Sequence, residues 1–232
     1  MNIASFQKFT LLDYPGHIAT TVFTVGCNFR CSFCHNPELV LSSQFMVHSN
    51  NNEKDFFKFL KERAGKLEAV CITGGEPTLQ KDLLDFMSKV KKMGYLVKLD
   101  TNGMRPDVLK KALDSKIVDY VAMDIKNSLK NYEKTVCTKV DLERIKMSVE
   151  LIRNSKVDYD FRTTVVPGIH KEKDFQDIAL WIGGAKKYFL QRFRDIKTLD
   201  PALKDKTRGK KLDLEKIKKK IEKHFGEVGI RG

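Results

Sequence analysis

Cys27-Asn28-Phe29-Arg30-Cys31-Ser32-Phe33-Cys34 places three thiols at spacings of three residues and then two, directly after the β-branched and aromatic run His17-Ile18-Ala19-Thr20-Thr21-Val22-Phe23-Thr24-Val25. The run predicts a strand over 17–25 that stops at Gly26 and delivers the cysteines as a loop. Three cysteines, not four, is the informative count. A structural zinc site closes a tetrahedron of four protein ligands, whereas a catalytic metal site keeps a position open. A cubane iron–sulfur cluster has four iron corners, so three thiolates leave one iron for a small molecule. Spacing alone also allows a zinc site completed by a distant histidine, or reduced thiols with no function. His35 adjoins Cys34 and is badly placed to close the same tetrahedron, and His48 reaches it only through a loop.

Outward from this loop the chain alternates. After a polar linker at 49–52, residues 53–63 carry Phe56, Phe57 and Leu60 at helical spacing. A strand over 67–73 stops at Gly74-Gly75-Glu76-Pro77, and a helix bearing Leu83, Leu84, Met87 and Val90 runs to a capping Gly94. A strand over 95–99 ends in Asp100-Thr101-Asn102-Gly103, and Pro106 opens a short helix. The strand over 118–125 carries Asp124, with Lys126 just past its end, and a helix from Asp141 presents Leu142, Ile145, Val149 and Ile152. A strand over 159–166, a helix with Phe175, Ile178 and Ile182, and a sixth strand over 187–193 follow. Beyond Asp200-Pro201 comes an irregular basic stretch, then an amphipathic helix marked by Leu214, Ile217, Ile221 and Phe225. Strands alternating with helices predict an α/β fold with a parallel sheet, as an incomplete barrel or a doubly wound sheet. The cysteine loop, Gly-Gly-Glu-Pro, Asp-Thr-Asn-Gly and the Asp124/Lys126 pair each follow a successive strand, on the face where β/α barrels hold their active sites. Part of this is turn chemistry, since Gly-Gly and Asn-Gly form turns by default.

At 232 residues the chain buries one sizeable core. We expect a single domain over 1–232, with a cysteine loop over about 26–41 and a basic C-terminal extension over about 195–232. No apolar run of twenty residues is present, and the first residues lack the features of a signal peptide, so we expect a cytoplasmic protein that meets no membrane. In a reducing compartment five cysteines read as ligands or free thiols, not a disulfide framework. Cys71 and Cys137, far from the trio, read as buried apolar residues. The net charge is +13, and from Lys186 onward 16 Lys/Arg face 7 Asp/Glu. No RNA-binding aromatic motif or zinc-finger spacing accompanies these charges, so nucleic acid is not expected. They read first as a solvated surface and second as a docking face for an acidic partner.

The C-x3-C-x2-C spacing with an aromatic before its last cysteine, followed one strand later by Gly74-Gly75-Glu76-Pro77, resembles the radical S-adenosylmethionine (SAM) superfamily. Within it, Leu12-Asp13-Tyr14-Pro15-Gly16, Cys34-His35-Asn36-Pro37-Glu38-Leu39, Asp100-Thr101-Asn102-Gly103, the run from Arg162 to Gly168, and Ile230-Arg231-Gly232 resemble the activases of glycyl radical enzymes. The likeness is nearest to the longer form of those serving anaerobic ribonucleoside-triphosphate reductase. It implies an incomplete (β/α)6 TIM-like barrel of parallel strands. It further implies that Cys27, Cys31 and Cys34 hold a [4Fe-4S] cluster whose fourth iron is chelated by the amine and carboxylate of SAM. One electron then cleaves the bond from sulfur to C5′, and the 5′-deoxyadenosyl radical takes a hydrogen atom from a glycine of the partner enzyme. A flavodoxin- or ferredoxin-type protein would supply the electron.

The remaining site residues are expectations of the same likeness. Gly74 and Gly75 would let backbone approach the methionyl group, with Glu76 or the glycine carbonyls accepting from its ammonium; the competing reading of Glu76 is a helix-entry turn. Phe33 would pack near adenine, with the backbone through Cys34 and His35 reading the base, or would only shield the cluster. Asp100, Asn102, Asp124 and Arg162 would face SAM. By analogy with the formate-lyase activase, Asp100 and Asp124 would hold a monovalent cation; Lys126 is the alternative counter-charge, and a strand-end salt bridge explains Asp124 and Lys126 equally well. Alternative functions are activation of pyruvate formate-lyase or another glycyl radical enzyme, a radical SAM reaction on a small pterin or deazapurine precursor, and a non-enzymatic metal module binding nucleic acid.

Overall fold

A computed structural model describes residues 1–40, 52–194 and 196–232. Its eight strands form one sheet in sequence order: β1 (Ile3–Thr10), β2 (Ala19–Thr24), β3 (Ala69–Gly74), β4 (Leu96–Thr101), β5 (Tyr120–Asp124), β6 (Asp158–Val165), β7 (Lys187–Arg192) and β8 (Glu227–Arg231). From β2 to β8 every neighbouring pair is parallel, and only β1 runs antiparallel, as a hairpin with β2. The six strands read from the sequence are therefore β2 to β7. The sheet adds β1 and β8 at its two edges.

The strand period of two sorts side chains onto two faces. Val70 and Ile72 of β3, Val97 and Leu99 of β4, and Val121 and Met123 of β5 join the large apolar core. Helices cover that face. They are α2 (Asn52–Glu62), α3 (Leu83–Lys92), α4 (Pro106–Asp114), α6 (Leu142–Arg153), α7 (Glu172–Trp181) and α9 (Leu214–Ile221), with the short α1 (Pro37–Val40), α5 (Tyr132–Val136) and α8 (Leu203–Thr207) in connections. Phe56 of α2 stacks on Phe86 of α3 at 5.6 Å, and both are fully buried. Burying each such ring is worth roughly 1.5–3 kcal/mol. Local signals set the ends: Asp141 accepts the Glu143 amide at the start of α6, and Pro106 opens α4.

The opposite face is narrower and more polar. Ala19, Ala69, Cys71, Tyr120 and Ala122 form a small cluster closed by Tyr14. The register sets Asp100 at the end of β4 beside Ala122, and Asp124 at the end of β5 beside Arg162 of β6. Alternation alone thus carries three charged residues to one place.

Two expectations need correcting. The C-terminal residues are not an appended extension, because β8 pairs with β7 from Lys187↔Glu227 to Gln191↔Arg231. The preceding stretch is pinned to the cysteine loop by Leu199 N donating to Cys34 O and Asp200 N to Ser32 O, both at 3.0 Å. Cys71 is buried as expected, whereas Cys137 is exposed, in a left-handed conformation that ends α5. His48 lies outside the described residues.

Candidate active site

Three connections after successive strands are tied into one wall. Gly75 N donates to Thr24 O at 2.9 Å and Glu76 N to Gly26 O at 2.7 Å, which joins the end of β3 to the start of the cysteine loop. Glycine is required here for a reason other than ligand access. A Cβ on Gly75 would lie 2.0 Å from Gly26 O, and one on Gly74 2.3 Å from Thr24 N. The approach these glycines permit is that of β2 and its loop. Both glycines also line the cavity, so the close approach of β2 and its loop is a second demand on them beside the access expected from the sequence.

Glu76 is buried, and its carboxylate is already engaged. Oε1 accepts from Thr78 N, Thr78 Oγ1 and Thr101 Oγ1, and Oε2 from Asn102 N. Burial pushes its carboxyl upward while these four donors oppose the shift. Asn102 is used in the same way: its Nδ2 donates to Asn28 Oδ1 at 2.8 Å, and its Oδ1 accepts from Met104 N. Both side chains hold loops together, and Glu76 also caps the 3-10 turn Pro77–Leu79, as its competing reading anticipated.

The cysteine loop is held from three sides, by β3, by Arg30 N donating to Val136 O of α5, and by the 199–200 stretch. Cys31 is buried and Cys27 and Cys34 are half-buried. Desolvation pushes the Cys27 thiol up to about 11 and that of Cys31 to about 12, and raises Cys34, while the Lys126 ammonium lowers all three. No three His, Cys, Asp or Glu side chains among the described residues converge on a single ion. A single zinc with sulfur at about 2.3 Å would need them to. A cluster giving each thiolate its own iron does not. Phe33 is buried against His170, ring centroids 6.4 Å apart. His35 stacks on Phe193 at 5.5 Å, and its Nε2 meets Arg194 O at 2.9 Å.

On the inner face of the strands, Arg162 of β6 reaches Asp124 on the neighbouring β5 and, beyond it, Asp100 on β4. Its Nη2 donates to Asp100 Oδ2 at 2.9 Å and its Nε to Asp124 Oδ1 at 2.5 Å. Lys98 pairs with Asp100, and Lys126 Nζ lies 2.8 Å from Asp124 Oδ2. The cations overcome burial and hold both carboxyls below their ordinary range. The strand-end salt bridge between Asp124 and Lys126 is therefore present, within a larger network.

One cavity of about 220 Å³ is lined by all three cysteines and by every residue named for the site from the sequence: Phe33, His35, Gly74, Gly75, Glu76, Asp100, Asn102, Asp124, Lys126 and Arg162. Thr73, Thr101 and Thr164 also line it and were not singled out. Thr164 stands two residues beyond Arg162, so strand alternation would have found it. The Asp13-Tyr14-Pro15-Gly16 turn lies elsewhere, with Tyr14 packed on Tyr120 at 5.6 Å in the small inner cluster.

The donor set suits an iron–sulfur cluster with an open iron: three thiols on one loop, beside an excess of positive charge, in one cavity. Residues 21–182 match the family profile described as the radical SAM superfamily. Over 99% of its length the chain is 31% identical to a Methanocaldococcus jannaschii protein provisionally named a glycyl-radical enzyme activating enzyme, covering 95% of that protein. It is 33% identical to the pyruvate formate-lyase-activating enzyme of Clostridium pasteurianum over 54% of this chain and 52% of that one. The crystal structure of Streptococcus suis SuiB bound to S-adenosylmethionine superposes on 90% of the chain with a TM-score of 0.64 at 14% identity. That match shows the fold, and this chain covers 48% of SuiB. Among the described residues no helix is long and apolar enough to cross a membrane.

Proposed function

The chain belongs to the radical SAM superfamily and is an enzyme of its glycyl-radical-activating branch, and from that premise we propose that its partner is an anaerobic ribonucleoside-triphosphate reductase. Family membership implies a [4Fe-4S] cluster and SAM, which together supply reductive cleavage and hydrogen-atom abstraction when bound. The observation that carries the reading is the meeting of the three cysteines with the ends of β3 to β6 around one cavity. Preference for the reductase over other glycyl radical enzymes rests on the resemblance of the Asp13-Tyr14-Pro15-Gly16 turn.

Their placement around the cavity supports the following roles for this chain's residues. Cys27, Cys31 and Cys34 would hold three irons of the cluster. Lys126 offsets part of the thiolate charge, since its ammonium acts on all three sulfurs. The Glu76 carboxylate fixes the spacing between the Gly-Gly-Glu-Pro and Asp-Thr-Asn-Gly loops, leaving the cavity-lining backbone of Gly74 and Gly75 to meet the methionyl ammonium. Arg162 and Lys126 bring positive charge to the wall that receives the methionyl carboxylate, and the buried Phe33 keeps water from the cluster. Hydrogen-atom transfer needs no general acid or base, so orientation and exclusion of water are what the protein contributes.

The test is anaerobic electron paramagnetic resonance on the reconstituted, reduced protein mixed with SAM and an anaerobic ribonucleotide reductase. A glycyl radical doublet on the reductase, lost in Cys31→Ala, is expected. 5′-Deoxyadenosine without a doublet would redirect the search to pyruvate formate-lyase as partner. Neither product from a cluster-loaded protein would overturn the activase reading.

A further inference from the structure

Asp100 and Asp124 stand on adjacent strands facing one cavity, and two carboxylates so placed need positive charge between them. The described side chains supply it completely. Each of the four carboxylate oxygens has its own cationic donor: Lys98 Nζ on Asp100 Oδ1, Arg162 Nη2 on Asp100 Oδ2, Arg162 Nε on Asp124 Oδ1, and Lys126 Nζ on Asp124 Oδ2. The guanidinium lies between the two carboxylates, and its planar fork meets one oxygen of each. Arg162 is 15% exposed and Lys98 3%, so these contacts are little screened by water.

Three cations meet two carboxylates in this network, one positive charge more than the pair needs. An additional monovalent ion would add to that surplus and would have to share each of the four oxygens with the cation already on it. The pairing also holds both carboxyls ionised against the effect of burial, so neither needs a metal ion to stay charged.

We infer that Arg162 occupies the position between Asp100 and Asp124 that a monovalent cation would otherwise take, so that SAM binding by this chain needs no alkali-metal ion. The inference rests on the activase reading and replaces the expectation of a cation at this site. It makes Arg162 a positioning residue for the methionyl carboxylate and explains why an arginine of β6 is paired with carboxylates on two other strands.

The test is equilibrium dialysis of SAM against the cluster-loaded protein in KCl, NaCl and choline chloride at equal ionic strength. Affinities within twofold of one another are expected. A tenfold or greater loss in choline overturns the inference. Arg162→Gln removes the bridging charge and should bind SAM at least tenfold more tightly in KCl or NaCl than in choline; a variant as insensitive to salt as the parent also overturns it. Thermal melting of the cluster-free proteins reads the same question without SAM: the parent should melt at one temperature in KCl and choline, and Arg162→Gln should melt higher in KCl. SAM binding in none of the salts would defeat the activase reading, while the melting comparison would still decide the cation question.

Discussion

Cys27 and Cys31 sit in surroundings that oppose the charge their proposed ligand role demands. Burial raises their thiols from an ordinary value near 9 to about 11 and about 12, and Lys126 only partly offsets this. At neutral pH all three thiols of the cluster-free protein are protonated, while iron takes thiolate, so each coordination expels a proton. The sign follows: iron uptake strengthens as pH rises toward those values, by roughly tenfold per pH unit for each proton released. Anaerobic titration with iron and sulfide at pH 7.0 and 8.5 should show markedly tighter loading at the higher pH, and a weakly buffered sample should acidify on loading. Loading indifferent to pH would mean that the thiols are already ionised. At this scale the sequence picked out residues that line one cavity but not the contacts they make there. Glu76 stood out from its motif, but its partners Thr101 and Asn102 come from another strand end, and only folding shows that its oxygens are occupied. The same holds for Asp100 and Asp124, whose shared counter-charge, Arg162, lies 62 and 38 residues away, respectively.

Gly75 and Gly94 show how one substitution separates two kinds of glycine at the scale of elements. Gly94 follows α3 with φ +89°, and a Cβ there meets nothing within 4 Å, so alanine costs only the left-handed conformation, about 1–2 kcal/mol. Gly75 has no such backbone requirement, yet its Cβ would lie 2.0 Å from a backbone carbonyl oxygen. Backbone cannot rotate away as a side chain can. Gly75→Ala must therefore part β3 from the cysteine loop, at or above the upper end of the roughly 1–3 kcal/mol range for overpacking. Urea denaturation of the two cluster-free variants should give the larger loss for Gly75→Ala, with impaired cluster loading in that variant alone. Equal losses would mean that the junction of β2 and β3 yields freely. The interior strands were legible because burial on both faces concentrates β-branched and apolar residues in them. The edges were not: β1 carries Ser5, Gln7 and Lys8 among its eight residues, and β8 is five residues with a glycine at its centre. Such strands owe their place to backbone pairing with a formed neighbour, which leaves little pattern in the side chains.

Across the whole molecule the cavity is made by connections that only the complete sheet brings together. β1 and β8 stand at opposite edges, and the stretch after β7 returns to the cysteine loop over 165 residues of sequence, from Leu199 to Cys34. No local signal in that basic stretch announces the return, because it is made by two backbone amides. The sequential order of the parallel strands, in contrast, was readable from the alternation of strand and helix. This architecture couples ligand binding to global stability, since SAM in the proposed site would meet residues from β3 to β6 and from the cysteine loop at once. A ligand that binds only the folded state at one hundred times its Kd stabilises by about 2.7 kcal/mol. For a chain of 232 residues each kcal/mol raises the melting temperature by about 2–4 °C, so the full shift is roughly 5–11 °C. The cluster-loaded protein should show that shift on addition of SAM under anaerobic conditions. The cluster-free protein should show little, because the chelating iron is missing while the protein contacts remain. Differential scanning calorimetry on the two forms separates these contributions. Equal shifts would place the SAM-binding energy in the loops and charged wall alone, and would remove the open iron from the account of how this site holds its ligand.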